Sequence, residues 1–159
     1  MPSNAARKGQ SALDLEHFVP YRLSVLTNRV SSAIARQYSD RFALSIPEWR
    51  AMAVLGGTSG LSARDVAERT AMDKVQVSRA VESLMRAGRV QRQSDSSDGR
   101  VMRLSLTAKG RAIYDEVVPL ALHLEALLLS ALSPQERRAL DGLLAKLARQ
   151  ARLLAPPAN

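Results

Sequence analysis

LSARDVAERTAMDKVQVSRAVESLMRAGRVQRQSDSSDGRVMRLSLTAKG, residues Leu61–Gly110, writes two short helices, a tight turn and a basic hairpin in succession. Ser62-Ala-Arg-Asp65 and Asp73-Lys-Val-Gln76 each set an oxygen-bearing cap three residues before an acid or amide. In that spacing the cap accepts from an orphan N–H, and the later side chain reaches back to the cap's own N–H. The first helix runs from Ser62 to about Thr70, and the second from Asp73 to Ala87, with Gly88 as a natural end. Val77, Val81, Leu84 and Met85 fall at helical steps and form its inward stripe. Val90–Ser94 and Val101–Leu106 then alternate apolar and polar residues, as half-buried strands do. Asp95-Ser-Ser-Asp-Gly99 between them is turn chemistry, and Arg100 stands at the tip. Two helices joined by about three residues and followed by a hairpin make a winged helix-turn-helix. The expected class is mainly α with a small β-hairpin wing.

The second helix of this motif is the one that enters the major groove, N-terminal part first. Lys74, Gln76, Ser78 and Arg79 occupy that part. Arg79 suits a guanine edge and Gln76 an adenine edge. Lys74 and Ser78 suit phosphates, which fix position without reading sequence. Glu82 and Arg86 also remain for the faces away from the core, and Arg86 with Arg92 completes the basic surface. The bland alternative is an ordinary solvated helix. Against it stands the neighbouring hairpin, in which Arg100 and Arg103 have no evident structural need.

Outward from the motif, apolar residues recur at Leu15, Val19, Leu23, Leu26, Val30 and Ile34, so a helix is predicted over Leu15–Tyr38. Pro20 begins its regular part or kinks it. Ser45-Ile-Pro-Glu48 starts a helix that stops at Gly56-Gly57. Thr107 caps a long helix through Leu132, interrupted by Pro119. Ser133-Pro-Gln-Glu136 starts the last helix, which reaches about Leu154, before Pro156-Pro157. Residues 1–12 read as a disordered arm and 155–159 as a tail. Residues 13–154 form one domain, with 46–110 as its winged core and 13–45 and 111–154 as flanking helices. Those flanks are Leu-rich (Leu120, Leu124, Leu127, Leu128, Leu140, Leu143, Leu144, Leu147). Blandly they are core; helices outside a compact helix-turn-helix also suit an intersubunit bundle, so N- and C-terminal dimerisation helices and a homodimer are expected. Two symmetric lobes predict a pseudo-palindromic site with half-sites about 10 bp apart, roughly 34 Å.

Composition agrees. The 159 residues are 46% apolar but only 4% aromatic, and Leu and Ala dominate, which favours helices over a β-sandwich. The formal charge is +8. Between Lys74 and Arg111 nine cations against three acids supply +6 of it, a surplus that attracts polyanions, nucleic acid first and anionic membrane second; with the helix-turn-helix, double-stranded DNA is the expected partner. There is no cysteine, which excludes disulfides and thiolate metal sites. No metal or other cofactor is expected. No apolar run approaches the ~20 residues of a membrane span, and the polar start lacks a signal peptide, so a cytoplasmic chain without membrane contact is expected. The two histidines, His17 and His123, lie in no catalytic motif, and Gly56-Gly-Thr-Ser-Gly60 lacks the lysine of a phosphate loop. The chain does not read as an enzyme.

The Leu61–Gly110 stretch resembles the DNA-binding core of the multiple antibiotic resistance regulator (MarR) family. The resemblance is carried by VSRAVESLMRAG (77–88), DSSDGR (95–100) and LTAKG (106–110), with IPEWRAMAVL (46–55) matching what precedes the core. It spans about residues 13–154. It implies a homodimer joined through the first and last two helices, recognition helices in successive major grooves, and wings in the minor groove. By that match Arg100 enters the minor groove and Asp98 holds its guanidinium. Gly99 replaces a basic residue of the usual wing motif, which puts one phosphate contact in doubt. A narrow A·T-rich groove has its own attraction for arginine.

The resemblance further implies a repressor released by a small aromatic or anionic effector, bound where the DNA-binding lobe meets the dimerisation helices. His17, Tyr21, Ser24 and Asn28 fall at steps of four, three and four and suggest one polar-aromatic face. Trp49 and Arg50 could add stacking and a carboxylate partner. The plainer alternative makes His17 a surface residue, Trp49 core and Arg50 solvated. The rival function is an architectural DNA-binding protein without ligand control.

Overall fold

A computed structural model describes residues 13–95 and 99–154. In chain order it contains α1 (Val19–Phe42), α2 (Ile46–Gly57), α3 (Ala63–Thr70), α4 (Lys74–Arg86), β1 (Val90–Ser94), β2 (Met102–Leu106), α5 (Ala108–Leu129) and α6 (Pro134–Leu154). The winged helix-turn-helix expected from the sequence is present.

Cap chemistry sets most of these starts. Ser45 and Glu48 form a complete capping box at α2, the Ser45 N–H donating to Glu48 Oε2 at 2.7 Å. Ser62 with Asp65 at α3 and Ser133 with Glu136 at α6 do the same. At α4 only half of the predicted box forms. Asp73 Oδ1 accepts from the Gln76 N–H at 2.8 Å, but no return bond to Asp73 is made and Gln76 stands exposed.

The two long helices α1 and α5 differ from expectation. Residues 15–17 form a turn in which Asp14 accepts from the Glu16 N–H and pairs with His17. Pro20 in the first turn marks where α1 begins, and the helix continues past Tyr38 to a left-handed Ala43. Pro119 does not interrupt α5, because the carbonyl it leaves unpaired belongs to exposed Asp115 and can take water instead. The helix ends at Leu129, short of Leu132.

β1 and β2 pair antiparallel, Val90 opposite Leu106 and Ser94 opposite Met102. The segment before α3 joins this ribbon, since Leu104 donates its N–H to the Leu61 carbonyl at 2.8 Å. One core unites the lobe with the inner parts of α1 and α5: Tyr38, Met52, Leu55, Val66, Val77, Leu84 and Val117 are all fully buried. α6 is different. It buries no residue, leaves α5 at 110°, and holds Leu143, Leu144 and Leu147 in the open. Leu23 and Leu26 on α1 and Leu127 and Leu128 on α5 are also exposed, so the flanking helices carry an apolar surface of their own. No single described helix is long and apolar enough to cross a membrane.

Candidate nucleic-acid interface

α3 and α4 are joined by Ala71, Met72 and Asp73. Ala71 takes a left-handed φ of 54°, Met72 plugs into the core, and Asp73 caps the next helix. The turn therefore fixes the start of α4 by one strained residue, one buried anchor and one cap. Val77, Ala80, Val81 and Leu84 face inward. At 100° per residue the side opposite them carries Val75, Arg79, Glu82 and Arg86, with Ser78 beside them; all five are exposed. Lys74 and Gln76, also exposed, lie on the two flanks of that face rather than at its centre. Ser78 Oγ donates to Glu82 Oε1 at 3.1 Å, so its proton is directed to a carboxylate and not outward.

The ribbon rises beside this face. Arg92 on β1 and Arg100 at the tip are exposed. Asp98, assigned to hold Arg100, lies outside the described residues. Arg103 corrects the sequence reading, which gave it no structural need. Its Nε bonds Asp95 Oδ2 at 2.7 Å, and its Nη1 reaches the Gly60 carbonyl at 3.4 Å and Asp65 at 3.9 Å. It braces the ribbon against the start of α3.

Three further cations of the basic run also bond main-chain carbonyls of the fold. Arg89 donates to the Phe42 carbonyl. Lys109 Nζ donates to the Ala87 carbonyl at 2.9 Å, at the C-terminal end of α4. Arg111 donates to the Gly56 carbonyl at 3.1 Å, with its guanidinium over the Tyr114 ring. Cations at helix C-termini offset the orphan carbonyls and the dipole there. Four of the nine, Arg89, Arg103, Lys109 and Arg111, thus brace the fold, the last two while still exposed; Lys74, Arg79, Arg86, Arg92 and Arg100 are exposed as well. Sequence spacing carried no sign of that division.

The six residues suggested for an effector separate. His17 precedes α1, so it does not share a helix face with Tyr21, Ser24 and Asn28, which are exposed on α1. Trp49 packs between Tyr38 and Tyr114, at ring distances of 5.6 and 6.1 Å. Arg50 donates to Ser31 Oγ at 3.3 Å, one turn beyond Asn28. Burial pushes the Tyr38 hydroxyl up to about 12, against a smaller pull downward from the Arg50 charge. Tyr21 instead lines an open groove of about 230 Å³ with Arg22 and Arg29, two cations that the sequence reading passed over. Their spacing on α1, with Val25 between them, is a helical signal that could have found them. A second groove, of about 310 Å³, lies between Leu26, Val30 and Ile34 of α1 and Leu124 and Leu128 of α5.

A family model described as MarR family matches residues 44–101. The HTH-type transcriptional repressor Rv2887 of Mycobacterium tuberculosis is 28% identical over 131 residues, which cover 82% of this chain and 91% of that protein. Among solved structures, a MarR-family transcriptional regulator from Silicibacter pomeroyi is 30% identical with a TM-score of 0.72, covering 84% of this chain and 89% of its own. BpsR of Bordetella bronchiseptica, whose DNA binding is regulated by 6-hydroxynicotinic acid, is 25% identical with a TM-score of 0.76, covering 87% of this chain and 98% of its own.

Proposed function

The chain belongs to the MarR family of transcriptional regulators, and from that premise we propose that it acts as a homodimeric repressor released from a pseudo-palindromic operator by a small aromatic or anionic effector. Its similarity to transcriptional regulators supports a binding function rather than an enzymatic one. The observation that carries the reading is the outward face of α4, exposed and, apart from Val75, polar over a buried stripe, with the basic ribbon alongside. Arg79 and Gln76 read base edges, Lys74, Arg86 and Arg92 take the backbone, Ser78 joins them only if its proton leaves Glu82, and Arg100 enters the minor groove.

Residues 46–110 then serve as the DNA-binding core, and 13–45 with 111–154 as the dimerising part. An α6 without a single buried residue supports this division, because Leu143, Leu144 and Leu147 lack a home within their own chain. For the effector, the regulation of BpsR by 6-hydroxynicotinic acid supports a small aromatic acid. Tyr21 with Arg22 and Arg29 supplies a ring and two cations for such a ligand. A ligand held on α1 changes how the dimer helices carry the two lobes, so the separation of the two α4 helices changes and both can no longer seat at once.

The test is selection of bound duplex from a random pool, repeated with a panel of aromatic acids, with sedimentation of the free protein. A dimer that enriches one inverted repeat and releases it with an acid bears the reading out. Equal retention of every sequence favours an architectural protein. A monomer indifferent to duplex DNA at low salt ends the case.

A further inference from the structure

Val75 is 57% exposed at the second position of α4. Between residues 46 and 110 it and Met102, at 38%, are the only described large hydrophobic side chains left exposed. All the other exposed ones lie on α1, the segment before it, α5 and α6, where a dimer interface accounts for them. Val75 belongs to no such apolar surface. Its neighbours are Lys74 and Gln76 on the flanks of the outward face and, one turn on, Ser78 and Arg79.

Nothing local calls for valine here. It is a weaker helix former than Ala, Lys or Gln, and in water its exposed methyls gain nothing. An isolated apolar side chain among two cations and neutral polar groups does not suit a protein partner, which would need a contiguous patch. It suits a polyanion that offers one apolar group at a defined point. In the major groove that group is unique: thymine alone presents a methyl on its edge. Helical side chains lean toward the N-terminus, so Arg79 extends over the turn that carries Val75.

We propose that Val75 is a specificity-determining residue that contacts the 5-methyl of a thymine beside the base edge taken by Arg79. This rests on the reading that the outward face of α4 enters the major groove. The contact selects thymine by removing two apolar groups from water together, with no hydrogen bond involved.

Deoxyuridine differs from thymidine by that methyl alone, so it isolates the contact. On the operator selected by the wild-type protein, each thymine is replaced in turn by deoxyuridine and affinity is measured. One position per half-site is expected to lose about fourfold, the scale of one buried methyl. Val75→Ala, which exposes no new core and removes a β-branched residue from a helix, is expected to bind the thymine operator with a similar loss and to ignore the uracil exchange at that position. A new selection with Val75→Ala should lose the preference for thymine there. The proposal is overturned if the wild-type protein tolerates every exchange, or if Val75→Ala keeps the uracil penalty. In both of those outcomes DNA binding itself survives. Failure to select any sequence overturns the DNA-binding reading, and this proposal with it.

Discussion

The guanidinium of Arg89 donates to the main-chain carbonyl of Phe42, tying the end of α4 to the end of α1 across 47 residues of sequence. The same residue accepts the Thr107 N–H on its own carbonyl at 3.0 Å, at the start of α5. Arg89 therefore joins the helix-turn-helix to both long helices that leave it. It also acts on α2. Burial pushes the Glu48 carboxyl up, but bonds from Ser83 and Ser45 and the Arg89 charge outweigh that and hold it below its ordinary value. Arg89→Ala leaves the Phe42 carbonyl without its charged donor, and a loss of about 1.5–3 kcal/mol in urea unfolding is expected. Arg89→Lys should recover only part, since a single ammonium lacks the planar fork. A midpoint unchanged in Arg89→Ala would show that the joint is carried elsewhere.

Gly110 packs directly on this joint. A Cβ there would stand 2.0 Å from the Arg89 carbonyl oxygen, and a backbone atom cannot swing aside. Gly110→Ala should cost about 1–3 kcal/mol or more, read as a fall in Tm. Gly57→Ala, with nothing within 4 Å of the added Cβ, is the control and should stay within about 0.5 kcal/mol.

Arg103 and Arg100 share a ribbon but should fail differently. Arg103→Gln frees the ribbon from Asp95 and Gly60, and affinity should drop on all sequences alike. Because Arg103 is half-exposed, the accompanying loss of stability should stay below about 1 kcal/mol. Arg100→Ala should instead weaken binding most where the flanks are A·T-rich. Titrations on one core site with A·T and G·C flanks separate the two. Equal losses on both flanks for Arg100→Ala would remove the minor-groove assignment.

Tyr38 offers a test of the core by pH. It is 1% exposed against Trp49, and its hydroxyl is raised from 10.0 to about 12. Between those values the unfolded chain loses this proton while the folded one keeps it. Stability is therefore full below pH 10.0 and falls as pH rises toward about 12. The near-ultraviolet tyrosinate signal of the folded protein should show a step near 12 that Tyr38→Phe lacks. A wild-type titration without that late step contradicts the burial.

What was legible in the sequence is what is decided within a few residues. The boxes at Ser45, Ser62 and Ser133, the inward stripe of α4 and the pairing of the two strands are local, and each appears where its residues are written. The exceptions are instructive. The period that began at Leu15 continued through residues that do not form a helix, because amphipathic spacing does not by itself say where a proline starts one. The second half of the Asp73 box was also absent, since a capping partner forms only if its side chain turns back.

The site was only half legible. Sequence by itself determined that a basic helix-turn-helix with a wing is present, because caps, periodicity and turn chemistry act between neighbours along the chain. Only the tertiary structure decided which cations of the run also act as bolts. Arg89, Arg103, Lys109 and Arg111 find their carbonyl and carboxylate partners from 8 to 55 residues away, and Val75 shows as exposed only once the rest of the lobe has closed. Charge and polarity are properties of a residue, but a partner is a property of the fold.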